Sequence, residues 1–71
     1  MLGEHLRKAR LARGLSQETL AFDAQVSRNY VSLLELNEKS PTVDVLLRIC
    51  RAMGVSAADI IREVEIEQEA E

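Results

Sequence analysis

An all-α domain of five short helices is the fold this sequence predicts, and three observations carry it. Of the 71 residues 46% are hydrophobic but only 3% aromatic, so the core must be built from Leu, Val, Ile and Ala, which is helix-bundle material. That length makes one domain with a core of marginal size. Between Gln17 and Leu36 the chain reads Q-E-T-L-A-F-D-A, then Q-V, then S-R-N-Y-V-S-L-L-E-L, two short amphipathic segments around a break too small for a loop. Leu20 and Ala21 face inward from the first segment, Val31 and Leu34 from the second, and Val26 sits between them. Neither segment could bury its stripe alone. Ala21 is small enough to permit the close approach of two helices that cross steeply after a tight turn.

The elements follow in order. Leu2 to Arg13 reads as the first helix, with Leu2, Leu6, Ala9 and Leu11 facing inward and Arg7, Lys8, Arg10 and Arg13 spread around the rest. Gly14 supplies a left-handed stop, and Leu15 drops into the core. His5 stands among charged neighbours with no second ligand at a metal spacing, which reads as a solvated surface histidine. Ser16 caps the second helix, whose first residue is Gln17, and Ser27 caps the third, which runs to Leu36. Asn37 is the next best residue after glycine for a left-handed helix end, and it opens the loop Asn37-Glu38-Lys39-Ser40-Pro41. Thr42 caps the fourth helix, Val43 to Met53, from which Val43, Leu46, Leu47, Ile49 and Cys50 are expected to close the core. Gly54-Val55 ends it. Ser56-Ala57-Ala58-Asp59 then opens the fifth helix in capping-box style, with Asp in place of Glu.

Residues 2 to about 62 resemble the phage repressor and Cro-type helix-turn-helix family, also called the xenobiotic response element family of bacterial regulators. The resemblance rests on L-R-K-A-R-L-A-R-G-L-S-Q-E-T-L-A from Leu6, V-S-R-N-Y-V-S-L-L-E from Val26, and S-P-T-V-D-V-L-L-R-I-C-R-A-M-G-V from Ser40. Register kept over three separate stretches is more specific than an isolated helix-turn-helix match. One departure is Gln25, at a turn position where the family usually has glycine; a positive φ there costs glutamine about 1 kcal/mol. The resemblance implies double-stranded DNA as partner, with the third helix lying in the major groove. Arg28 then suits guanine O6 and N7, Asn29 suits adenine N6 and N7, and Ser32 and Leu33 complete the base-reading set, Leu33 either touching a thymine methyl or packing under the loop. Ser16, Gln17, Ser27, Tyr30, Lys39 and Ser40 are the expected backbone contacts. Of these, Gln17 is assigned to phosphate by the resemblance, at a helix start whose dipole favours anions. An ion pair between Arg10 and Glu35 is also implied by the family.

The fifth helix carries more apolar surface than one small core can use. Ile60, Ile61 and Val64 are the expected centre of a homodimer interface, with Ile66 beyond them. Alternation in V-E-I-E from Val64 would also suit a short exchanged strand, and Gln68 to Glu71 reads as a frayed acidic end. The net charge of −3 divides unevenly: residues 1–62 hold all nine Lys and Arg against seven Asp and Glu, while residues 63–71 hold five glutamates and no base. The chain therefore reads as a DNA-binding domain over 1–62 and an acidic extension over 63–71, the end of helix five or a dimerisation segment. The acidity belongs to the extension, and the domain remains compatible with phosphate.

No membrane segment or signal peptide is visible, and Cys50 is the only cysteine, so a cytosolic protein without a disulfide is expected. No acid-base pair, His/Cys constellation, glycine-rich phosphate loop or metal spacing is present; neither an enzyme nor a cofactor is expected. The expected function is a sequence-specific transcriptional regulator binding a pseudo-palindromic operator as a homodimer. The competing expectation is an antitoxin or accessory DNA-binding protein whose C-terminus engages a protein partner.

Overall fold

The computed structural model describes residues 1–70, and all regular structure among them is helical. Five helices follow one another: α1 (Leu2–Ala12), α2 (Gln17–Ala24), α3 (Arg28–Glu35), α4 (Val43–Met53) and α5 (Ala57–Glu69). Their boundaries have local chemical causes. Ser16, Ser27, Thr42 and Ser56 stand in extended backbone ahead of α2 to α5, and each hydroxyl oxygen accepts the N–H three residues on. Such a cap satisfies one orphan donor, and its loss costs ~1 kcal/mol. Gln25 and Asn37 take φ of 62° and 61°, so both non-glycine stops are left-handed in fact. At Gln25 the strain is offset by closing α2, since its N–H donates to the carbonyl of Phe22 and that of Val26 to Ala21.

The core draws on every helix: Leu6 from α1, Leu20, Ala21 and Ala24 from α2, Val31 and Leu34 from α3, Leu46, Ile49, Cys50 and Met53 from α4, and Ile60 from α5. Helix α2 packs on α3 and α4, α1 on α3 and α5, and α4 on α5. Two alanines on the inner side of α2 let those neighbours approach closely. Cys50 is buried among these apolar side chains, and burial pushes its thiol above the ordinary range, which leaves it inert.

Several expectations need correction. Leu11 is 51% exposed, because Leu6 and Arg10 occupy the inward side of α1 and Leu11 lies about 100° round from Arg10. Val43 and Leu47 do not close the core; they are 74% and 45% exposed. Leu46, Ile49, Cys50 and Met53 already fill the inward stripe of α4, which leaves these two one turn apart on its flank. Ile60, expected at a dimer interface, is buried in the core of its own chain. His5 is not freely solvated: its side chain is largely covered, with Nδ1 3.3 Å from Glu63 and Nε2 3.2 Å from Glu67. Those contacts tie α1 to α5, whose helix continues through V-E-I-E to Glu69, so there is no strand there and fraying does not begin at Gln68. Glu71 lies outside the described residues.

One close approach fixes α1 against the end of α3. Gly3 is buried, and a Cβ there would stand 2.5 Å from the carbonyl oxygens of Leu34 and Glu35. The Gly3 N–H donates to Asn37 Oδ1 at 2.8 Å, while the Asn37 amide donates to Glu4. That donation holds the Glu4 carboxyl below the usual carboxylate range. A left-handed Asn thus ends α3 and caps the first turn of α1 at once.

Candidate nucleic-acid interface

Helix α3 begins at Arg28, so its first turn projects the two side chains that follow the Ser27 cap. The inward stripe is Val31, Leu34 and Glu35; Asn29 falls on the opposite side and Arg28 on the flank of the stripe at the helix start, and both are exposed. Neither makes a side-chain hydrogen bond among the described residues, which leaves the donors of Arg28 and both ends of the Asn29 amide available. With Gln17 and Ser32 they line one shallow cleft of about 290 Å³. A second cleft of about 460 Å³ adjoins it, lined by Arg10, Ser16, Gln17, Glu18 and Arg28. Gln17 and Arg28 belong to both, so the start of α2 and the start of α3 present a single continuous face.

Behind that face lies a buried polar network. Arg10 Nε donates to Glu35 Oε2 at 2.7 Å and its NH2 to Oε1 at 3.0 Å, a two-pronged pair in which Arg10 is 7% and Glu35 6% exposed. The bond to Glu35 holds the guanidinium still further toward its charged form. The third guanidinium nitrogen of Arg10, NH1, donates to the carbonyl of Leu15 at 2.9 Å, pinning the turn before α2. Gln17 Nε2 donates to Glu35 Oε1 at 3.1 Å. Three helices are therefore tied at one carboxylate.

Ser16, Gln17, Arg28, Asn29 and Ser32 are brought together by this arrangement, and other expected contacts stand apart. The Ser16 hydroxyl accepts from the Thr19 N–H at 3.0 Å and donates to Thr19 Oγ1 at 3.0 Å, so it serves as a cap first. Ser27 likewise accepts from the Tyr30 N–H at 3.0 Å. Tyr30 is half-buried and packs on the core. Leu33 is half-buried, and its carbonyl accepts the N–H groups of Glu38 and Lys39, so it braces the loop. Lys39 and Ser40 are exposed in that loop, outside the two clefts. Glu18 was missed: it lines the cleft beside Arg28, and the only signal was an acid in the first turn of α2, where the helix dipole favours one.

A second exposed feature lies between α4 and α5. Val43, Leu46, Leu47, Ala57, Ala58 and Ile61 line an apolar groove of about 540 Å³ with Arg62 and Glu65 at its edge. Ile61 is 45% exposed there, whereas Val64 is half-buried outside the groove. Among the described residues no three His, Cys, Asp or Glu side chains are grouped to hold a metal ion, and no helix is long and apolar enough to cross a membrane.

Comparison with known proteins places this geometry. The helix-turn-helix family matches residues 6–60. Over 62 residues the chain is 32% identical to control protein C.BamHI of Bacillus amyloliquefaciens, covering 86% of this chain and 76% of that protein. Among solved structures, the clp gene regulator ClgR of C. glutamicum superposes with a TM-score of 0.87 at 35% identity, covering 93% of this chain and 86% of that one. The restriction-modification controller protein C.AhdI of Aeromonas hydrophila gives 0.81 at 34% identity, with 83% and 89% covered.

Proposed function

The chain belongs to the Cro/C1-type helix-turn-helix family, and from that premise we propose that it is a DNA-binding transcriptional regulator reading a pseudo-palindromic operator as a homodimer. The observation that carries the reading is the uncommitted pair Arg28 and Asn29 on the first turn of α3, beside the capped start of α2. A forked guanidinium and an amide are the side chains that distinguish guanine and adenine in the major groove. The start of α2 supplies N–H groups and a positive dipole end to the phosphates alongside. One of the similar proteins is a control protein, one a restriction-modification controller protein and one a clp gene regulator, so regulation is their common element while what they regulate differs.

The homodimer reading rests on the groove between α4 and α5. A second copy suits it better than an unrelated partner because its edge carries one charge of each sign, Arg62 and Glu65. In a two-fold contact the Arg62 of each copy meets the Glu65 of the other while Val43, Leu47 and Ile61 are covered. Reading two half-sites requires the two α3 helices of such a dimer to lie on one side, about one DNA turn or ~34–36 Å apart.

Selection from a random DNA library tests the reading. The wild type should enrich a two-fold symmetric site. Arg28→Ala should cost ~1–3 kcal/mol and relax one guanine per half-site, and Asn29→Ala should relax a neighbouring position. An unenriched wild-type pool, or mutant pools with the wild-type consensus, would show that α3 does not read sequence.

A further inference from the structure

Gln17 differs from the other side chains of the cleft in being held from behind. Its amide nitrogen is bonded to Glu35 Oε1, the same oxygen that accepts Arg10 NH2, while Glu35 Oε2 accepts Arg10 Nε. A carboxylate only accepts, so the Gln17 amide cannot be turned round: nitrogen faces Glu35, and the amide oxygen and second N–H are left for the cleft. That cleft is the one shared with Arg28 and Asn29. Glu35 is itself immobilised by the fork from α1 and sits on the last turn of α3, the helix whose first turn carries Arg28 and Asn29.

We infer that Glu35 is a positioning residue for DNA binding, acting through the amide of Gln17. On this assignment the buried pair does more than join helices. It presets one N–H of Gln17 for a phosphate oxygen and keeps α2 in register with the base-reading end of α3. A preset side chain loses less freedom on binding, so the benefit appears in affinity for every DNA sequence alike and leaves base choice untouched. The inference rests on the DNA-binding reading above.

The test separates positioning from stability by removing both charges together. Replacing a buried pair with apolar residues of similar size is often neutral or stabilising, whereas removing one partner strands a charge. The paired variant Arg10→Met, Glu35→Leu should therefore retain its helicity and melting temperature. Its Kd for the selected site and for scrambled duplex should both rise about three- to tenfold, the range of a single hydrogen bond. Gln17→Ala alone should give the same rise, and the triple variant should lose nothing further. A folded pair variant with wild-type Kd, or one on which Gln17→Ala still costs its full factor, would overturn the positioning role. Wild-type protein that binds no duplex would instead overturn the DNA reading. Should the pair variant not fold, ¹⁵N relaxation of the Gln17 side-chain amide in the free wild type decides. An order parameter near 0.85, as in rigid backbone, supports the role, and one below about 0.6 overturns it.

Discussion

Gly3 is the residue whose importance is hardest to see from its neighbours. In the line M-L-G-E-H-L it reads as a weak helix former near a chain end, where Ala would improve propensity by about 1 kcal/mol. Its environment reverses the sign. The two atoms a Cβ would meet at 2.5 Å are backbone carbonyl oxygens of α3, which cannot swing aside as a side chain could. Gly3→Ala should therefore destabilise by ~1–2 kcal/mol, overpacking exceeding the propensity gain. Urea unfolding would measure it, and amide exchange should show the first turn of α1 opening before the rest. A stabilised variant would mean that α1 can lift off α3 at no cost. The contact was invisible in the sequence because its partners, Leu34, Glu35 and Asn37, lie more than thirty residues away. Local chemistry was legible by contrast. The four hydroxyl caps and the left-handed Gln25 and Asn37 each depend only on residues within one turn.

At the scale of elements, periodicity identified the amphipathic face of each helix but not which flank of it a neighbour would cover. On α5 the sequence shows Ile60, Ile61 and Val64 as one apolar group. Packing against α1 and α4 divides them, taking Ile60 into the core and leaving Ile61 in the groove with Val43 and Leu47. On α3 the exposure of Arg28 and Asn29 was legible because the buried stripe of a short helix, here Val31 and Leu34, leaves the remaining residues outward. The network behind Gln17 was not legible as geometry, since it joins α1, α2 and α3. The groove makes its own prediction. Ile61→Asp places a charge where the proposed dimer would bury one, but its monomer side is already open to water, so folding should be nearly unaffected. Light scattering at tens of micromolar should show dimer for the wild type and monomer for the variant. Ile60→Asp should instead unfold the domain. A wild type that is monomeric at that concentration would remove the dimer from the proposal.

Over the whole molecule, the acidic surplus is concentrated at the end of the chain, since residues 63–71 hold five glutamates and no basic residue. Glu63, Glu65, Glu67 and Glu69 alternate with other residues along the second half of α5, and that helix packs on α1 and α4. Arg10, Arg28 and Gln17, with Glu18, line the clefts at the starts of α2 and α3. An overall charge of −3 therefore does not forbid phosphate contact, because at physiological ionic strength charges act over about 8 Å and the local surface decides. Binding should weaken with added salt, with a slope of about −0.9 for each phosphate neutralised. On the proposed reading Lys39, exposed in the loop after α3, contributes one such contact. Lys39→Ala should flatten the slope by about 1 and lower affinity for all sequences alike. Changing Glu69 to Gln alters the net charge by as much as Lys39→Ala does, yet should leave the slope unchanged because Glu69 lies outside both the groove and the clefts. Fluorescence anisotropy across a salt series would measure all three proteins. If the glutamine variant shifted the slope and the alanine variant did not, net charge rather than local contact would govern binding, and the loop would have to be removed from the interface.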